Sequence, residues 1–134
     1  MRHAAVGCNS AGGITSRAVQ PTGVHHVAIN VSDVDAAVTF YVDVLGLRLR
    51  SDRPDFGFRG AWLDAGGQQV HLLEAAPPSN VGQHFALRFE DLDAVISDLR
   101  AQGFTVSDAV PVGANRQAFV SDPSGNGVEL HQVG

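Results

Sequence analysis

The feature that most constrains this chain is that it repeats itself. Slid by 58 positions, His26-Val-Ala-Ile-Asn-Val-Ser-Asp-Val-Asp-Ala falls on His84-Phe-Ala-Leu-Arg-Phe-Glu-Asp-Leu-Asp-Ala, with identity at the histidine, Ala28/Ala86, Asp33/Asp91, Asp35/Asp93 and Ala36/Ala94. The same offset lays Asp64 on Asp122, Gly67 on Gly125, Val70 on Val128 and Leu72 on Leu130. The order of signals recurs as well as the letters, so two copies of one supersecondary unit are the natural reading. With 134 residues they share one compact domain, since the chain is too short for two independent cores.

Local signals inside each copy agree. Val24 to Val31 and His84 to Phe89 are rich in β-branched and apolar residues and read as strands. Ser32/Asp33 caps a helix carrying Val34, Val38, Tyr41 and Leu45 on one face, with Gly46 as its stop. Asp91 to Gly103 repeats the plan, with Leu92, Val95, Ile96 and Leu99 turned inward. Three short strands follow each helix, at 47–52, 58–64 and 68–74, then at 104–106, 116–121 and 127–132. The last two of each set are separated by the turns Ala65-Gly66-Gly67 and Asp122-Pro123-Ser124-Gly125. The expectation is an α+β fold of two tandem βαβββ modules, 23–75 and 83–134, within one domain at 23–134. Residues 1–22 form a flexible leader, and the short stretch from Ala75 to Gly82 links the modules.

Composition narrows the function classes. Every one of the nine basic residues is arginine, so Schiff-base chemistry on lysine is excluded; no arginine cluster opposes the net charge of −5. Nucleic acid and anionic membranes, which bind through phosphate neutralisation, are not expected partners. No stretch reaches the roughly 20 apolar residues of a membrane helix, and no secretory leader is evident. A single cysteine, Cys8, makes no internal disulfide. A cytoplasmic protein is expected.

Strand alternation puts His26, Ala28 and Asn30 on one face and Val27, Ile29 and Val31 on the other. In Val70-His71-Leu72 the histidine opposes its apolar neighbours, and the matching place in the second copy is Val128-Glu129-Leu130. His26 and His84 are thus repeat mates, as are His71 and Glu129. If the copies pack about a pseudo-twofold axis, these four metal-binding side chains converge on one point. Imidazole and carboxylate donors suit zinc, nickel, cobalt, manganese or iron, and geometry does not choose among them. His25 should point to the other face; His131, two positions beyond Glu129, has two placements open to it, near the site or, the favoured one, at the surface. Trp62 and Phe119 are candidates for a pocket wall, with Phe56 and Phe58 divided between pocket and core, and Arg116 for an anion contact.

From about Val24 to Val133 the chain resembles the vicinal oxygen chelate superfamily of glyoxalases, epimerases, fosfomycin thiol transferases, extradiol dioxygenases and bleomycin-binding proteins. The resemblance lies in His25-His26-Val-Ala-Ile, Phe40-Tyr-Val-Asp-Val-Leu-Gly-Leu47, the run from His84 to Asp93, and Asp122-Pro-Ser-Gly-Asn-Gly-Val-Glu-Leu-His131. It implies a curved mixed sheet around one divalent metal on His26, His71, His84 and Glu129. Two adjacent positions on the ion would then be open to a small oxygen-chelating substrate, whose enediolate or oxyanion the metal stabilises in lyase or isomerase chemistry. Glu129, the carboxylate of the set, is the candidate catalytic base. A homodimer is expected, with the ligands drawn from one chain or from two.

The subfamily is less constrained. Glyoxalase I relatives commonly carry an acid or glutamine in place of His71, and the second base of epimerases falls near Trp62. Alternatives are a fosfomycin-type thiol transferase, an extradiol-type dioxygenase, or a ligand-sequestering protein of the bleomycin type without catalysis.

Overall fold

The computed structural model describes residues 19–134; residues 1–18 of the expected leader, with His3 and Cys8, lie outside the described residues. The architecture is two four-stranded mixed sheets, each backed by one helix. In the first module the elements are β1 (His26–Val31), α1 (Val34–Val38), β2 (Arg48–Leu49), β3 (Gly60–Ala65) and β4 (Gln68–Glu74). In the second they are β5 (His84–Arg88), α2 (Leu92–Ala101), β6 (Val110–Val112), β7 (Asn115–Ser121) and β8 (Gly127–Gln132).

The sheets share one topology, β1-β4-β3-β2 and β5-β8-β7-β6, in which the first strand pairs parallel with the last and the others are antiparallel. The duplication extends to single hydrogen bonds. Asp33 caps α1 by accepting from the N–H groups of Asp35 and Ala36, and Asp91 caps α2 by accepting from that of Ala94. The first N–H of each helix is satisfied from the end of the last strand, Val34 by the Glu74 carboxylate at 3.0 Å and Leu92 by the Gln132 amide oxygen at 2.8 Å. These contacts supply partners for orphan donors at the helix starts.

Past Val38 the first helix widens into a π-helical segment, Thr39–Val44, with Leu45 N–H donating to Phe40 O. Phe40 and Tyr41 of this segment are both in the core. Gly46 then takes φ 86° and ends the helix. Gly60 is required for a different reason: a Cβ there would collide with the Leu72 carbonyl oxygen.

One core runs beneath both sheets. Val31, Leu63, Val70, Leu72, Leu92, Leu99, Val128 and Leu130 are almost wholly enclosed, each contributing about 1.5–3 kcal/mol by burial. The modules are joined through the β7–β8 turn. Asp122 accepts from Ser124 N, Asn126 N and Asn126 Nδ2, and takes the Tyr41 hydroxyl of the first module at 2.8 Å. Burial first, then the Asp122 charge, pushes the Tyr41 phenol far above its ordinary value. Asn126 Nδ2 donates to Asn30 O, and Ser32 N–H to Ser124 Oγ.

Three sequence expectations change. The strand expected at 104–106 is absent, and β6 forms at Val110–Val112 instead; Phe104 and Val106 pack into the core beside Phe40. The first strand starts at His26, leaving Val24 exposed. The match of Asp64 to Asp122 is not structural. Trp62 opposes His71 just as Phe119 opposes Glu129, so the true mate of Trp62 is Phe119. The hairpin closed by Asp122 N–H on Asn126 O has three residues in its loop, against two between Ala65 and Gln68. The extra residue puts Asp122 in the turn while Asp64 lies within β3.

Candidate functional site

Each sheet has one face against its helix and one face open, and the four residues singled out lie on the open faces. His26 precedes Ala28 by one alternation, and Ala28 opposes His71 across the β1–β4 ladder; likewise Ala86, one alternation after His84, opposes Glu129 across β5–β8. Both pairs are therefore diagonal neighbours on parallel strands, close enough for side chains to meet.

In the first module the meeting is aromatic. The His26 and His71 rings stack at 3.9 Å between centroids and 14° between planes, and Trp62 stacks on the other side of His71 at 4.5 Å and 12°. His71 Nε2 contacts Gln69 Oε1 at 2.8 Å. Burial, followed by the neighbouring His26 and His25 rings and two arginines, holds the His71 pKa below its usual value. His25 does not turn away as expected: its Nδ1 lies 3.0 Å from His26 Nδ1. It sits just before β1, where strand alternation no longer governs it.

In the second module the meeting is ionic. His84 Nδ1–H donates to Gly82 O at 2.7 Å, and His84 Nε2 lies 2.9 Å from Glu129 Oε1. Both ring nitrogens face acceptors, so the ring gains by carrying both protons, and its pKa is raised, first by Gly82 O and then by Glu129. Glu129 is 8% exposed. Its other oxygen, Oε2, takes His131 Nδ1 at 2.6 Å, and His131 Nε2 faces Asn115 Nδ2 at 3.1 Å. Of the two placements open to His131, the structure takes the one beside Glu129. The signal was available: two residues along a strand is the same face.

Phe119 stands edge-on to His84 at 5.0 Å, so both wall candidates, Trp62 and Phe119, touch a site imidazole. Phe56 and Phe58 are 50% and 46% exposed; they fill no core, and they extend the Trp62 surface outward, with the Arg53 guanidinium over both rings. Arg116 does not join the site. Its position in β7 turns it to the helix side, where it grips Asp93 with two hydrogen bonds of 2.8 and 3.1 Å. That guanidinium holds the Asp93 carboxyl below its usual range.

The structure thus brings the predicted residues together as two pairs, not as one group of four. Among the described residues no three His, Cys, Asp or Glu side chains are gathered so as to hold an ion. β1 and β5 are not hydrogen-bonded to each other, and a cleft of about 390 Å³ lies between them, bounded by Val27, Ile29, Asn80, Phe85 and Asn126. Among the described residues no helix is long and apolar enough to cross a membrane.

Comparison with known proteins gives a consistent picture. The model of the family described as Glyoxalase/Bleomycin resistance protein/Dioxygenase superfamily matches residues 23–130. A lactoylglutathione lyase of Haemophilus influenzae is 32% identical over 119 residues, covering 78% of this chain and 88% of that protein. A lactoylglutathione lyase of Arabidopsis thaliana is 30% identical over 81% of this chain, which spans only 44% of its length. Among solved structures, TnmS3, an antibiotic binding protein from a Streptomyces species, superposes with a TM-score of 0.73 at 28% identity, covering 85% of this chain and 98% of that one.

Proposed function

We propose a function that proceeds from membership: the chain belongs to the glyoxalase/bleomycin resistance protein/dioxygenase superfamily, and we read it as a divalent-metal enzyme of glyoxalase type acting on a small substrate with neighbouring oxygens. The metal centre is shared between two copies, His26 and His71 of one chain facing His84 and Glu129 of the other. The observation that carries this reading is the separation of four donors into two prepared pairs. A twofold dimer that brings unlike pairs together makes two equivalent four-donor sites.

The donors suit such an ion. Three imidazoles and a carboxylate are ligands for zinc, nickel, cobalt, manganese or iron. Gly82 O fixes the proton on His84 Nδ1, which turns the other nitrogen toward the site. When bound, the metal would supply Lewis acidity for negative charge developing on substrate oxygen. The chain's own residues do the rest. Trp62 and Phe119 wall the site and exclude water. Among the described residues Glu129 is the only carboxylate in hydrogen-bond contact with a site imidazole, and it is the candidate for moving a proton on the substrate carbon. The lactoylglutathione lyases among its relatives favour a lyase. A second reading, a protein that sequesters a flat apolar ligand, is favoured by the exposed Phe56 and Phe58 and by the likeness to TnmS3.

The test is complementation. One variant carries His26→Ala and His71→Ala, the other His84→Ala and Glu129→Ala, and neither alone should bind metal. Mixed and re-associated at equal amounts, they should recover about a quarter of the wild-type metal content, because half the dimers are mixed and each holds one intact site. No recovery from a dimeric mixture removes the shared centre. A wild type that takes up no metal removes the enzyme reading and leaves the sequestering one.

A further inference from the structure

We propose that His131 is a positioning residue for Glu129: it holds carboxylate oxygen Oε2 and leaves Oε1 as the one oxygen offered to the metal. The inference rests on the metal reading above. The two side chains meet at 2.6 Å, and the pair is enclosed, with the Glu129 side chain 10% and the His131 side chain 21% exposed. The hydrogen-bond chain fixes which nitrogen donates. Asn115 Oδ1 accepts from Gly134 N–H, so the Asn115 amide nitrogen faces His131 Nε2 and donates to it. The remaining proton of the neutral ring then lies on Nδ1, directed at Glu129 Oε2.

The duplication shows that this feature is specific to the second module. One strand position beyond His71 on the same face stands Leu73, the counterpart of His131. The apolar counterpart accompanies a histidine, and the hydrogen-bonding one accompanies the carboxylate. An imidazole offers its lone pair from a rigid ring, whereas a carboxylate can rotate or bind through both oxygens. A donor on Oε2 removes both freedoms, as the partners of ligating carboxylates generally do.

Two polar substitutions separate positioning from packing. His131→Asn keeps an amide N–H where Nδ1 lies, and His131→Gln moves it a methylene outward, past Glu129. The dissociation constant for zinc, measured by chelator competition, should rise about 10- to 100-fold in His131→Gln and stay within about threefold of wild type in His131→Asn. The visible spectrum of the cobalt-loaded protein should shift in the first variant and not in the second. Equal affinity in all three proteins overturns the proposal, as does equal loss in both variants, which marks a packing role. Asn115→Leu, which frees the ring while leaving His131 in place, should weaken zinc in the same direction, and unchanged affinity there also counts against the relay. If wild type binds no zinc at all, the metal reading fails first and this one with it.

Discussion

The two modules place a pair of side chains at the same two strand positions and stabilise the pair in opposite ways. In the first, His26 and His71 are layered face to face beneath Trp62, and burial there lowers the His71 pKa. In the second, His84 Nε2 and Glu129 Oε1 meet at 2.9 Å, and the histidine's pKa is raised, by Gly82 O first and then by Glu129. Duplicated backbone decides where a side chain points, and a single residue difference, His71 against Glu129, then decides its charge. A site combining one pair of each kind presents one anionic ligand among neutral ones, whereas two copies of either half would not.

The comparison can be broken most forcefully in the core. Leu72 and Leu130 are repeat mates on β4 and β8, both almost fully enclosed. Leu72→Ala and Leu130→Ala should each cost about 2–5 kcal/mol, by similar amounts, in a single unfolding transition followed by denaturant. Two separated transitions would mean that the modules have separate cores.

The next effect concerns their junction. Tyr41→Phe removes the hydroxyl that reaches Asp122 and should lower stability by about 1.5–3 kcal/mol, the range for a bond to a charged group. Asp122 keeps three other donors, so a value near the lower end is expected. The helix starts differ less. Asp33 accepts from two N–H groups and Asp91 from one, so Asp33→Ala should cost more than Asp91→Ala, each about 1 kcal/mol.

The smallest effect is a titration that sharpens the contrast in charge. Followed by NMR on metal-free protein, His84 should titrate above 6.5 and His71 below it. For His84 the folded pKa exceeds the unfolded one, so its contribution to stability is complete below 6.5 and fades as pH rises through its raised value. His71 has the reverse sign: it costs stability as pH falls from 6.5 through its lowered value. Titration of both rings in the same direction would mean that the two pairs are not chemically distinct.

Much of the fold was legible because period and repetition are local properties. The alternation His26-Val27-Ala28-Ile29 and the pattern Val70-His71-Leu72 each determine a face, and the caps at Asp33 and Asp91 depend only on residues beside them. Two features were not legible, and a third was legible only in part. The π-helical segment Thr39–Val44 has no local mark in the sequence. Arg116 found Asp93 across the helix-facing side of its sheet, a pairing that sequence distance hides. His131 was readable from its parity, but a histidine near a chain end has no local mark that distinguishes a buried partner from a surface residue.

The sequence by itself determined the module, its duplication, the faces of the strands and the chemical type of each candidate side chain, since these follow from side-chain alternation and residue identity. Only the tertiary structure decided that the four candidates stand in two pairs, that one pair is stacked and the other polar, and that a turn of the second module locks onto a tyrosine of the first. Those outcomes depend on how two sheets approach each other and on what encloses each polar group, and the energies involved arise between residues that are 45 to 92 positions apart along the chain.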